Sequence, residues 1–124
     1  MPTLEVYLPQ GYADERKAQL IQGLTEATVR AIGAPAESVR ILLSELGAAH
    51  AGLGGKLTPA ALPVIVAILI AGRTDAQKEA LIAQLSETIA TVLDVPLPST
   101  RVMIKDIPNT DFGIGGKTAR ALGR

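Results

Sequence analysis

The chain has 124 residues, with 12 basic and 12 acidic side chains, one His, no Cys and no Trp. That length is enough to bury a core without staples, and the composition excludes thiol nucleophiles, Cys-ligated zinc, iron–sulfur clusters and any multi-His metal site. The balanced charge gives no polybasic footprint for nucleic acid or an anionic membrane, and three aromatics (Tyr7, Tyr12, Phe112) leave little to stack on bases. The two kinds of group whose reference pKa lies near neutral are an imidazole and an α-amine, and the chain has one of each, at His50 and at its N-terminus.

In chain order, Met1 to Glu5 lacks the basic and apolar regions of a secretory leader. The longest apolar run, Ala60 to Gly72, is 13 residues, against the ~20 needed to cross a bilayer. A cytoplasmic location without membrane attachment is therefore expected. A short strand is predicted from Leu4 to Leu8, then a turn at Gly11 and a long helix whose buried face is Leu20, Leu24, Thr28 and Ala31. The helix should stop near Gly33, before Pro35. A second strand follows from about Val39 to Leu46, then a glycine-rich segment that contains Gly52, Gly54 and Gly55.

The same order then returns. Sliding the sequence by 61 residues aligns its halves without a gap and gives 17 identities, among them Pro2 on Pro63, Gly11 on Gly72, Lys17 on Lys78 and Arg40 on Arg101. Accident does not place prolines, glycines and charges at one constant offset, so the chain is a fused duplication with repeats at 1–62 and 63–124 that together form one compact domain. In the second repeat, Val64 to Ile70 is apolar throughout and reads as a strand covered on both faces. Thr74 and Gln77 form a capping box with Asp75 in the first turn, and Leu81, Leu85, Ile89 and Val92 mark the buried helix face. A helix end near Asp94 and a strand from Thr100 to Ile107 complete the unit.

Strand–helix–strand with one long helix is a β-α-β unit with parallel strands and a right-handed crossover. Two units give an α/β (α+β) fold: a four-stranded sheet with two helices on one face. The chain has no further helix for the other face, so burial against other copies, in a ring-like homo-oligomer, is expected.

Three features compete for a chemical role. Gly113 to Thr118 resembles the tail of a phosphate-binding loop, but Asp111 stands where that loop needs glycine, so the segment reads as a turn opening a hairpin. His50 lies in a loop and aligns with Asp111, which reads as a polar surface position. The third is the N-terminus. A small residue at position 2 normally permits removal of the initiator Met, which would leave Pro2 as a secondary amine. Burial and nearby cations lower the pKa of such an amine, and a neutral amine can take and return protons. Pro63 begins the second repeat at the matching place, where a proline is a poor choice for a strand. A repeat that starts with proline is what a catalytic N-terminus would leave behind.

Both halves resemble the 4-oxalocrotonate tautomerase subgroup of the tautomerase superfamily. The ordered set is Pro63, Gly72-Arg73-Thr74-Asp75, Lys78, Pro96, Ser99, Arg101 and Phe112-Gly113-Ile114-Gly115-Gly116, matched more loosely in the first half. The resemblance implies the tautomerase (macrophage migration inhibitory factor-like) fold and assembly of fused chains as homotrimers. It makes Pro2 the general base and acid and Arg73 the binder of a substrate carboxylate. Arg40 and Arg101 both match the arginine for the substrate's other polar end, and Phe112 matches a wall of the site. No cofactor or metal is implied. Tyr12 and Ala51 stand where the first repeat should carry the arginine and phenylalanine, and Pro63 is an internal amide, so one working site per chain is expected.

The implied reaction is a 1,3-proton shift on a small keto or enol acid, a 2-hydroxydienoate or enol-pyruvate. Related fused proteins include cis-3-chloroacrylate dehalogenases and malonate semialdehyde decarboxylases, and dehalogenase, hydratase or decarboxylase chemistry is the alternative within the superfamily. Related dehalogenases carry a paired arginine at the position of Ile70 and an acid at that of Ile114, and both residues are apolar in this chain. A non-catalytic oligomeric binding protein is the reading outside enzymology.

Overall fold

The computed structural model describes residues 1–124. Strand β1 (Thr3–Pro9) leads through a glycine turn to helix α1 (Asp14–Ile32) and back to strand β2 (Arg40–Leu46). A two-stranded hairpin, β3 (Gly52–Leu53) and β4 (Lys56–Leu57), closes the first repeat. The second repeat runs β5 (Val64–Ile70), α2 (Asp75–Leu93) and β6 (Arg101–Ile107), and closes with β7 (Gly113–Ile114) and β8 (Lys117–Thr118). The glycine-rich tails are hairpins, as the turn reading of Gly113 to Thr118 anticipates.

The four long strands form one sheet in the order β2-β1-β5-β6. Pairing is parallel within each β-α-β unit and antiparallel where the units meet, with Thr3 opposite Ile68 and Tyr7 opposite Val64. This central antiparallel pair lays the start of each repeat beside the end of the other's first strand.

Alternate side chains of the central strands bury Leu4, Val6, Leu8, Ile65, Ala67 and Leu69 under the two helices. From α1 come Leu20, Leu24, Ala27, Thr28 and Ile32, and from α2 Leu81, Leu85, Ile89 and Leu93. Each fully buried Leu or Ile is worth roughly 1.5–3 kcal/mol of transfer free energy. The last-turn core positions are Ile32 and Leu93, one residue beyond the expected Ala31 and Val92, which are half-buried at the core's edge. The reason is geometric: the helices continue to left-handed caps at Gly33 (φ 68°) and Asp94 (φ 54°), so their final turns still face the sheet. The Thr74–Gln77 capping box forms, with the Gln77 backbone N–H donating to Thr74 Oγ1 at 3.1 Å and the Thr74 N–H donating to Gln77 Oε1 at 2.9 Å.

The other face of the sheet has no layer over it within one chain. Val64, Val66, Ile68 and Ile70 are half-buried there, and Leu42 and Met103 stand 52% and 51% exposed. No helix is long and apolar enough to cross a membrane.

Candidate functional site

Strand direction decides which residues meet. β1 begins at Thr3, so Pro2 lies at the end of the sheet where β5 and β6 finish. The segments that leave the ends of β5 and β6 therefore emerge beside Pro2. The β5–α2 turn delivers Gly72 and Arg73, and the segment after β6 delivers Phe112 and, after the β7–β8 hairpin, Arg124. β2 runs parallel to β1, so Arg40 also starts at this end, with its backbone N–H donating to the Pro2 carbonyl at 2.9 Å.

Pro2 is fully buried. Met1, half-buried, lies between two clefts. One, of about 400 Å³, is lined by Met1, Thr3, Arg40, Phe112 and Ile114, among others. The second, of about 390 Å³, is lined by Met1, Ile70, Gly72, Arg73 and Arg124, among others. Met1 thus meets a cleft with Arg40 and Phe112 on one side and a cleft with Arg73 and Arg124 on the other. The pKa of the chain's α-amine is held below its ordinary value, first by burial, then by the charges of Arg73 and Arg124.

Each of these side chains is held by its neighbours. Gly72 has φ 133°, a backbone conformation that side-chain-bearing residues rarely adopt, and it turns the chain so that Arg73 points back across the sheet's end. Arg73 Nη1 donates to the Ile32 carbonyl at 3.2 Å, at the C-terminal end of α1, where unpaired carbonyls attract a cation. Ala71 N–H donates to the Ile107 carbonyl at 2.8 Å, and Lys78 on the first turn of α2 pairs with Asp106 on β6. Lys17 and Glu45 make the matching ion pair in the first repeat. The Phe112 carbonyl accepts from the N–H of fully buried Ala119 at 2.8 Å, which pins the hairpin.

The opposite end of the sheet gathers the equivalents: buried Pro63, Tyr12, Ala51 and Arg101. The Leu62–Pro63 peptide is cis, and the Pro63 carbonyl accepts from Arg101 N–H at 3.4 Å. Arg101 turns its guanidinium onto the Pro98 and Thr100 carbonyls, each at 2.8 Å. Within one chain, Pro2, Arg40, Arg73 and Phe112 share one end, and Arg101 does not. His50 is exposed, in a one-turn 3-10 helix at the far end.

Arg124 lines the same cleft as Arg73, a placement that sequence reasoning did not anticipate. A signal was present in the duplication. The offset that aligns Leu62-Pro63 with Met1-Pro2 also aligns them with Gly123-Arg124. The first repeat runs directly into Pro63, so the end of the second repeat must come to rest against Pro2.

A family model described as "Tautomerase enzyme" matches residues 2–60 and again 63–121. The 2-hydroxymuconate tautomerase of Stutzerimonas stutzeri is 48% identical over 63 residues, which is 51% of this chain and 100% of that relative. A solved structure named "fused 4-OT wild type asymmetric trimer" is 86% identical, covers 98% of this chain and 99% of its own, and superposes with a TM-score of 0.97. Another, a "fused 4-OT wild type symmetric trimer", is 38% identical over 98% of this chain and 99% of its own, with a TM-score of 0.92.

Proposed function

This chain belongs to the tautomerase family, as a fused 4-OT-like isomerase of two repeats, and we propose that it moves a proton between oxygen and carbon of a small enol acid of the 2-hydroxydienoate or enol-pyruvate class. The observation that carries the reading is that Met1 lines both the Arg40–Phe112 cleft and the Arg73 cleft, while burial and the charges of Arg73 and Arg124 lower the pKa of the chain's amine.

Removal of Met1 moves the amine one residue inward, onto fully buried Pro2, and empties the space between the clefts. Burial and the same cations then favour the neutral base. The Pro2 nitrogen takes the proton of the substrate's 2-hydroxyl. The oxygen's electron pair forms the carbonyl, the carbon–carbon double bond shifts, and the protonated amine delivers a proton to carbon. One proton is taken and one returned, so neither cofactor nor metal enters the balance. Arg73 pairs with a substrate carboxylate, and Arg40 meets the other polar end. Phe112 excludes water and strengthens both contacts. Holding the acid in register with the amine supplies much of the rate.

Chains of this kind assemble as homotrimers in this reading, with the uncovered sheet faces of three copies packed together and the far-end Arg101 of one copy available to a neighbour's site. Val66 and Met103 lie side by side on that face, and Leu42 stands beyond Glu5, which accepts from the Tyr7 hydroxyl at 2.8 Å; the exposed apolar side chains support this packing. Ile70 and Ile114, apolar and facing the two clefts, favour proton transfer over hydrolytic dehalogenation.

The test begins with the intact mass, which is expected to lack Met1. The processed protein should then convert 2-hydroxymuconate and phenylenolpyruvate in an ultraviolet assay. Processed protein inert towards both would overturn the reading.

A further inference from the structure

We propose that Arg124 is a second anion-binding group of this site, acting beside Arg73 on the carboxylate of an acidic substrate. The proposal deepens, and rests on, the tautomerase reading.

Arg124 and Arg73 line the same cleft. The chain's ion pairs involve Lys17 and Lys78 only, so neither guanidinium has a carboxylate partner. Arg73 at least spends a donor on the Ile32 carbonyl. Arg124 has only the Met1 sulfur, 3.0 Å from its Nη1, and a thioether is a weak acceptor. That sulfur leaves with Met1. What remains is a guanidinium with five free donors at the mouth of a cleft that already holds a cation. Two like charges facing one space are unfavourable until an anion lies between them, and the planar fork of each guanidinium suits a carboxylate.

The backbone that carries Arg124 is tied in place. Its N–H donates to the carbonyl of buried Ala119 at 2.9 Å, and its main-chain carboxylate oxygen accepts from Asn109 Nδ2 at 2.9 Å. Ala119 in turn donates to the Phe112 carbonyl, so Arg124 and the Phe112 wall are parts of one braced segment. The far end of the sheet has no equivalent, because the aligned residue is Pro63 and the Arg73 position is Tyr12. The paired guanidiniums therefore occur only where the amine can be free.

The experiment uses the Met-processed protein with R124Q, R124K and, as a control, R120Q, since Arg120 is exposed on the same segment and lines neither cleft. Malonate binding is measured by calorimetry and 2-hydroxymuconate turnover by ultraviolet absorbance. Loss of one charge-assisted contact predicts about tenfold weaker malonate binding and a matching rise in KM for R124Q. A kcat within about threefold of the parent is expected, because binding rather than chemistry is lost. R124K should recover most of the loss, and R120Q should match the parent. The acid limb of kcat/KM in R124Q should move to higher pH, since a cation that favours the neutral amine is gone. Unchanged malonate affinity and KM in R124Q would overturn the proposal, as would a parent protein that does not bind malonate. Arg124-dependent malonate binding without any turnover would uphold it and overturn the tautomerase reading instead.

Discussion

Gly72→Ala and Gly11→Ala are the same perturbation at two ends of one duplicated scaffold. Both glycines form the strand-to-helix turn of their repeat, with φ 133° and 113°. A Cβ built at either position meets nothing within 4 Å, so the substitution introduces no clash and its cost is backbone strain alone. Holding a side-chain-bearing residue in such a region costs about 1–3 kcal/mol, partly offset by about 0.4–1 kcal/mol from the stiffer unfolded chain. A net loss of about 1–2 kcal/mol follows for each variant. At an unfolding entropy of ~2.1 cal/mol/K per residue, a chain of 124 residues loses about 4–8 °C of Tm. The scan is run at one protomer concentration, because the Tm of an oligomer depends on it. Function should separate the two. Relaxation of the turn at Gly72 displaces Arg73, the next residue, and a misplaced substrate-binding group lowers kcat/KM by about tenfold or more. Relaxation at Gly11 displaces Tyr12, at the end of the sheet without the amine, and kcat/KM should stay near the parent value. Equal losses of kcat/KM in the two variants, with equal losses of Tm, would refute the reasoning that only one end works.

Further outcomes are expected from the same geometry. Pro2→Ala should lower turnover by at least ~100-fold, while Pro63→Ala, whose nitrogen is an internal amide, should keep it; steady-state rates with 2-hydroxymuconate decide this. Arg73→Ala should raise KM and move the acid limb of the kcat/KM profile to higher pH, because Arg73 helps hold the chain's amine below its ordinary pKa; an unmoved limb would remove Arg73 from the amine's surroundings. Halide release from 3-chloroacrylate should be absent, because Ile70 and Ile114 offer neither a cation nor an acid, and chloride detection checks it. In the helix pair, a Cβ at Gly23 would lie 2.9 Å from Thr88 Cγ2. Gly23→Ala alone should therefore destabilise by about 1–2 kcal/mol through overpacking, yet stabilise by up to ~1 kcal/mol through helix propensity once Thr88→Ser removes that methyl; paired denaturant titrations report the reversal of sign.

Much of this protein was determined locally, and so could be read along the chain. The helices announce themselves through Leu20–Leu24 and Leu81–Leu85–Ile89, the second helix start through Thr74 and Gln77, and the hairpins through paired glycines. A constant offset of 61 residues is itself a sequence property, and it identifies what each repeat kept and lost: Arg73 against Tyr12, Phe112 against Ala51, a terminal proline against an internal one. Tertiary structure alone decided which of these residues share a space. Side-chain periodicity reports which face of a strand is buried but is the same for a strand run in either direction. The antiparallel pairing of β1 with β5 is therefore absent from any local pattern. That pairing places Arg40 at the Pro2 end and sends Arg101 to the other, although the two are equivalent in the repeat. It also brings Arg124 to within 3.0 Å of Met1 across 123 positions of chain, a contact between the two extremes of the sequence that exists only because the sheet closes the duplication on itself.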